Sequence, residues 1–221
     1  MTHQPFQIIR SNRKTLSISV DCFARLIVRA PRNASEERIF SFLKEKEAWI
    51  SKQMQKMQGA GMRLPPENLN GYTFLLLGED CKISLTNEKY IRFSYEEGVL
   101  YLPEKNARKR LVAWLKENAK RIFTQVSSQQ AGRMGVSFQS VKISSAKTRW
   151  GTCSHDNEIR YSFRLLYAPK EVIEYVAVHE LAHIRHKNHS PAFWGEVAAY
   201  VPDYKARRKW LKEHGILMEI F

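Results

Sequence analysis

VAVHELAHIRHKNHSPAFW, residues 176–194, gathers four of the chain's seven histidines into eleven positions, with one glutamate beside the first of them. On a helix, His179 and His183 are four apart and lie on one face, one turn above the other. Two imidazoles so placed reach a single ion at about 2.0–2.1 Å each. Glu180 is adjacent in sequence and so rotated around the helix, where it can hold a water on that ion without ligating it. Zinc lowers the pKa of such a water to around 7, and a carboxylate can take its proton as it attacks. Chance produces H-E-x-x-H in about one chain of this length in a hundred, or less often. Periodicity supports a helix: Val172, Val176, His179 and His183 continue one stripe, and Ile173, Ala177, Glu180 and Ile184 the next. A glutamate on an otherwise apolar face costs free energy unless it has a partner or a task. The competing reading is an exposed helix whose histidines are merely hydrated.

Catalytic zinc takes three protein ligands and keeps one position open. His189 follows His183 by six residues, where Asn188 and Ser190–Pro191 turn the chain into another helix. This is the metzincin spacing, but His186 stands where those proteins place a turn glycine. The turn is therefore expected to use Asn188 in the left-handed region that asparagine tolerates. Glu196 would give a His-His-Glu site, and His186 serves only if the helix frays early. His189 is the preferred third ligand. Zinc is the expected ion for three histidines without a thiolate, although nickel, cobalt or manganese supports the same chemistry.

The rest of the chain bounds the context. It has 221 residues, 43% hydrophobic and 26% charged, enough for a buried core. No apolar run approaches the roughly 20 residues of a membrane span, and the first residues lack a secretory h-region. Cys22, Cys81 and Cys153 are scattered and odd in number, which argues against a disulfide framework and for a reduced, cytoplasmic setting. A net charge of +14, with clusters at 105–110 and 205–209, attracts polyanions and phosphate-bearing substrates, or simply keeps the protein soluble.

Alternation at 16–20 and 25–31 predicts a β-hairpin or meander. Asn33 followed by Glu36 resembles a capping box, opening one helix over about 34–58. A Gly/Pro/Asn-rich loop occupies 59–71. Strands follow at 72–77, 81–86, 90–95 and 99–102, with Glu97–Gly98 as a turn, then a helix over roughly 106–130. Strands at 141–154 and 158–166 flank a turn at Asp156–Asn157. Pro169 opens the histidine helix, Ser190 caps the next with Pro191 at its first position, and Pro202–Asp203 begins a last helix ending near Gly215.

HELAH (179–183) and NHSPAFW (188–194), with RLIVRAP (25–31), TRWGTCS (148–154), RLLYAPKEVIEYVAVHELAH (164–183) and PDYKARRKWL (202–211), resemble the YgjP-like metallopeptidase family, relatives of the SprT-like and WLM zincins. The resemblance runs from about residue 16 to residue 211. It implies metal ligands at His179, His183 and His189 and a catalytic Glu180. The implied fold class is α+β: a strand-rich N-terminal half followed by a small zincin-like helical metallopeptidase core. The expected division is a β-rich region at 1–105 and a metal-binding catalytic region at 106–221.

It also implies that TRWGTCS is a strand near the metal helix, where zincins align an extended substrate by backbone pairing. Arg149 is then a candidate to grip a carboxylate or phosphate, and His186 a second substrate-binding candidate. Trp150 is read as an anchor between the two halves, Gly151 as a bulge, Cys153 as a packed small hydrophobe, and Phe193 and Trp194 as core. His186, Tyr200, Tyr204 and Arg149 are candidates for a second oxyanion donor.

Three functions compete. The first is a zinc-dependent peptidase acting on peptide or protein. The second is a hydrolase of phosphoanhydrides such as nucleoside triphosphates, without a P-loop. The third is a nucleic-acid-associated module whose metal is structural, with Cys153 as the fourth ligand.

Overall fold

A computed structural model describes residues 6–20, 26–59 and 65–221. Cys22, Arg25 and residues 60–64 of the expected loop lie outside the described residues. Two compact units are present, Met1–Leu64 and Pro65–Phe221. The expected division was at 105/106; the strands between residues 73 and 103 group instead with the second unit.

In the first unit, β1 (Phe6–Ser11), β2 (Ser17–Val20) and β3 (Leu26–Pro31) form a sheet in the order β1-β3-β2. β2 runs antiparallel to β3, as expected, and β1 runs parallel to it. The alternation of β3 turns Leu26, Val28 and Ala30 inward, and Val28 and Ala30 pack with Ala34 and Ile39. Two helices follow, α1 (Glu36–Glu45) and α2 (Glu47–Gly59), where one was expected. The break is at Lys46, whose N–H bonds to Phe42 O and Leu43 O. Leu43 and Ile50 are seven residues apart, two full turns, so the apolar period carries no trace of it. The cap is also corrected: Ser35, not Asn33, accepts the Arg38 N–H at 3.3 Å.

The second unit opens with β4 (Thr73–Leu76), β5 (Glu79–Thr86), β6 (Arg92–Ser94) and β7 (Val99–Pro103), in the order β4-β5-β7-β6. Leu77 and Gly78, with φ of 56° and 87°, make the β4–β5 turn, the pattern a tight hairpin requires. A Cβ on Gly78 would lie 2.9 Å from Pro169 Cα, so glycine lets this turn press on the start of the histidine helix. Gly98 serves the β6–β7 turn with φ 63°.

α3 (Ala107–Met134) buries Leu111, Leu115, Ala119 and Phe123 along one stripe and ends on left-handed Gly135. A second three-stranded sheet follows: β8 (Ser140–Ser144), β9 (Gly151–Cys153) and β10 (Glu158–Ser162), in the order β8-β10-β9. The strand expected over 141–154 is thus interrupted at 145–150. That over 158–166 ends at Ser162 and continues as a 3-10 turn, Phe163–Tyr167. Left-handed Asn157 (φ 59°) makes the expected turn.

α4 (Lys170–Ala182), α5 (Pro191–Tyr200) and α6 (Tyr204–Glu213) complete the unit. The architecture is α+β. Among the described residues no helix is long and apolar enough to cross a membrane.

Candidate metal centre

α4 is apolar on nearly every side: Val172, Ile173, Tyr175, Val176, Ala177, Val178, Leu181 and Ala182 are buried. Such a helix belongs inside a core, and α4 packs against α3, α5, α6 and β9. Pro169 stands at its N-cap, where a missing N–H costs nothing. His183 is the C-cap. Beyond it, Ile184 N–H bonds to Leu181 O and Arg185 N–H to Ala182 O, tightening the end into 3-10 form. Asn188 is not left-handed; the tightened helix end replaces the asparagine turn expected there. Ser190 then caps α5, its Oγ accepting the Phe193 N–H, with Pro191 at the first position as expected.

This turn brings His189 back onto α4. His189 Nε2 lies 3.2 Å from His179 Nε2, and one ring nitrogen from each of His179, His183 and His189 falls within a 4.8 Å group. Nitrogens each about 2.0–2.1 Å from a tetrahedral ion sit about 3.3–3.4 Å apart, close to the His179–His189 separation. His183 Nδ1 is 2.9 Å from the His186 carbonyl. Donating there, Nδ1 carries the ring proton and leaves Nε2 with a free lone pair. Burial lowers the His179 pKa to about 3, helped by the charges of His183, His189 and Arg208, and burial lowers that of His183 too. Three ring nitrogens grouped this closely, two of them on imidazoles that burial holds unprotonated, can offer lone pairs to one cation. These residues therefore fit a divalent metal.

Phe193, fully buried, fixes the rings. Its centroid lies 4.9 Å from His179, 4.6 Å from His183 and 4.8 Å from His189. Trp194 stacks on His189 at 5.6 Å and on Tyr204 at 5.2 Å, and the Arg208 guanidinium sits 5.0 Å from its ring.

Glu180 is the single acidic side chain buried among the described residues. It has no hydrogen-bond partner among them, and burial raises its pKa to about 8. It lies outside the group of atoms able to share one ion. Opposite it stands Gly151 on β9: a Cβ there would lie 2.5 Å from Glu180 Oε1 and 2.8 Å from its Cγ. Gly151 pairs in register with Tyr161 of β10, so it is a cradle for this carboxylate and not the bulge expected from sequence.

The other candidates are elsewhere. Glu196 accepts from Arg185 Nη1 at 2.6 Å and faces His186 Nε2 at 2.9 Å. Arg185 Nη2 in turn holds Met134 O and Gly135 O at the end of α3. Glu196 is thus a tie between helices, and the His186 side chain is drawn to it. Arg149 is exposed in the 145–150 loop. Cys153 is a half-buried thiol, its pKa raised by burial. It is not in the metal group, so a closed four-ligand site finds no fourth ligand among the described residues. His155 is almost fully exposed. The contacts made by Phe193, Trp194, Gly151 and Arg208 leave no local sign in the sequence, although all four lie within the motif stretches 148–154, 188–194 and 202–211.

A family model for the YgjP-like metallopeptidase domain matches residues 14–214. The chain belongs to the YgjP-like family. That match spans both compact units, and the metallopeptidase character of the YgjP-like domain agrees with a three-histidine group able to hold a metal. No curated protein matches this YgjP-like chain. A solved structure, the metallopeptidase zymogen of Pyrococcus abyssi abylysin, matches at 22% identity with a TM-score of 0.38, covering 41% of this chain and 93% of that one. A likeness that loose carries no argument about the site.

Proposed function

We propose that the protein is a zinc-dependent peptidase in which His179, His183 and His189 hold the ion and Glu180 is the general base. The observation that carries this reading is three imidazoles whose ring nitrogens group within 4.8 Å, beside one buried carboxylate that does not join them. When bound, zinc supplies a Lewis acid that acidifies water and polarises a carbonyl. Glu180 takes the proton of the attacking water and returns it to the leaving amine, its carboxyl held in place against Gly151. β9 lies at the edge of its sheet, which supports pairing with an extended peptide backbone beside Glu180. Tyr204, stacked on Trp194 beside His189, is the best placed of the candidate oxyanion donors. Free thiols at Cys81 and Cys153 suit a reducing, cytoplasmic compartment.

One observation favours a second reading, hydrolysis of a phosphoanhydride. The outside charges acting on the imidazoles are cationic: Arg208 on His179, and Lys187 on His183. The deciding experiment compares zinc-loaded wild type with Glu180→Gln at equal zinc content, on unfolded casein, a quenched peptide library and a panel of nucleoside triphosphates. Peptide cleavage lost in Glu180→Gln upholds the peptidase. Turnover of triphosphates alone moves the assignment to phosphoanhydrides. Equal activity in both proteins removes Glu180 from the chemistry.

A further inference from the structure

Two adjacent arginines on α6 have opposite surroundings. Arg207 is saturated: Nε donates to Asp203 Oδ2 at 3.0 Å, Nη1 to Glu171 O at 2.6 Å, and Glu174 Oε2 lies 3.6 Å away. Arg208 is exposed and has no carboxylate or carbonyl partner among the described residues; it has only the Trp194 ring, 5.0 Å from its guanidinium carbon. That ring stacks on His189 and lies 5.8 Å from His179. An aromatic face orients a guanidinium without using its N–H donors. The planar fork is therefore held on the ring that packs against His189 and His179, with its donors uncommitted.

We propose that Arg208 binds an oxyanion of the substrate, carboxylate or phosphate, next to the three-histidine site. This rests on the hydrolase reading above and adds to it a substrate that carries a negative group close to the bond cleaved. A guanidinium matches a two-oxygen anion with two parallel N–H bonds, which an ammonium does not.

The test is equilibrium binding to the zinc-loaded full chain, by calorimetry at low ionic strength. One probe is acetyl-alanyl-alanine, with its C-terminal amide as the neutral control. The other is an α,β-methylene nucleoside triphosphate, with the nucleoside as control. Wild type binds at least one of the anionic probes, and Arg208→Gln weakens that binding roughly 10–100-fold at unchanged zinc content, while the neutral controls do not change. Loss confined to the peptide acid assigns the anion to a carboxylate, and loss confined to the triphosphate assigns it to a phosphate. Arg208→Lys keeps the charge without the fork and falls between the two; it decides the matter if the glutamine variant does not fold. The proposal is overturned by an Arg208→Gln protein that keeps its zinc and binds as wild type does. A wild type that binds neither anion overturns it as well. Since none of this needs turnover, a protein that hydrolyses nothing would sink the hydrolase reading and leave the Arg208 result standing.

Discussion

The three atoms nearest to a methyl group at position 151 would all belong to the Glu180 side chain, at 2.5–2.9 Å. The side chain is the party able to give way, so Gly151→Ala is expected to fold and, if Glu180 is the base of a zinc site as proposed, to keep the metal and displace the base. A misplacement of about 1 Å in a reacting group costs roughly 100-fold in rate, so kcat should fall by about that factor. Zinc stoichiometry and melting temperature measured on the same preparation separate this from damage to the fold. Glu180 also sets a pH dependence in the metal-free protein. Its folded pKa is raised from 4.5 to about 8, so its contribution to stability is present below pH 4.5 and is lost as pH rises through 8. His179 works in the opposite sense. Its folded pKa is lowered from 6.5 to about 3, so its contribution is present above pH 6.5 and is lost on acidification toward 3. Chelator-treated Glu180→Gln should therefore lack the fall in stability that wild type shows between pH 6.5 and 8, above the range over which the His179 contribution changes. Parallel profiles would mean that the carboxyl is not desolvated.

At the scale of elements, the site depends on how α4 hands over to α5. Three imidazoles from two elements are spaced by one phenylalanine whose ring lies within 5 Å of each of theirs. Phe193→Ala should cost about 3–5 kcal/mol of stability. It should also weaken zinc binding, because the rings lose the surface that orients them. Chelator competition on protein that is still folded at low temperature measures the second effect; unchanged affinity would show that the rings orient themselves. How much of this was legible in sequence follows the range of the interactions. The H-E-x-x-H helix, the Ser190–Pro191 start and the Asn157 turn are local patterns, carried by backbone preference and apolar period. The break at Lys46 falls between residues two turns apart, where the period is blind. The 145–150 interruption, the cradle at Gly151 and the contrast between Arg207 and Arg208 depend on partners distant in sequence. Nothing in KARRK itself distinguishes an arginine tied to Glu171 and Asp203 from one resting on Trp194.

For the whole molecule, the division at residue 64 makes a claim about where metal binding resides. Every histidine of the group, the Phe193 that spaces them, the Gly151 that receives Glu180 and the helices packed around α4 lie in Pro65–Phe221. That unit has its own core: Leu115 and Phe123 of α3, Val178 and Leu181 of α4, and Val197 of α5 are fully or almost fully buried. At 157 residues it is also long enough to bury a stable interior. A protein beginning at Pro65 is therefore expected to fold and to bind one equivalent of zinc with the affinity of the full chain. Zinc should stabilise both proteins by the same free energy, since binding to the folded state alone contributes RT ln(1 + [Zn]/Kd). Calorimetric melts with and without chelator, run on both proteins at one free-zinc concentration, make the comparison. A truncated protein that folds but holds zinc at least tenfold more weakly would mean that the first unit contributes to the metal centre. The family match, which begins at residue 14, would then reflect one working domain instead of two.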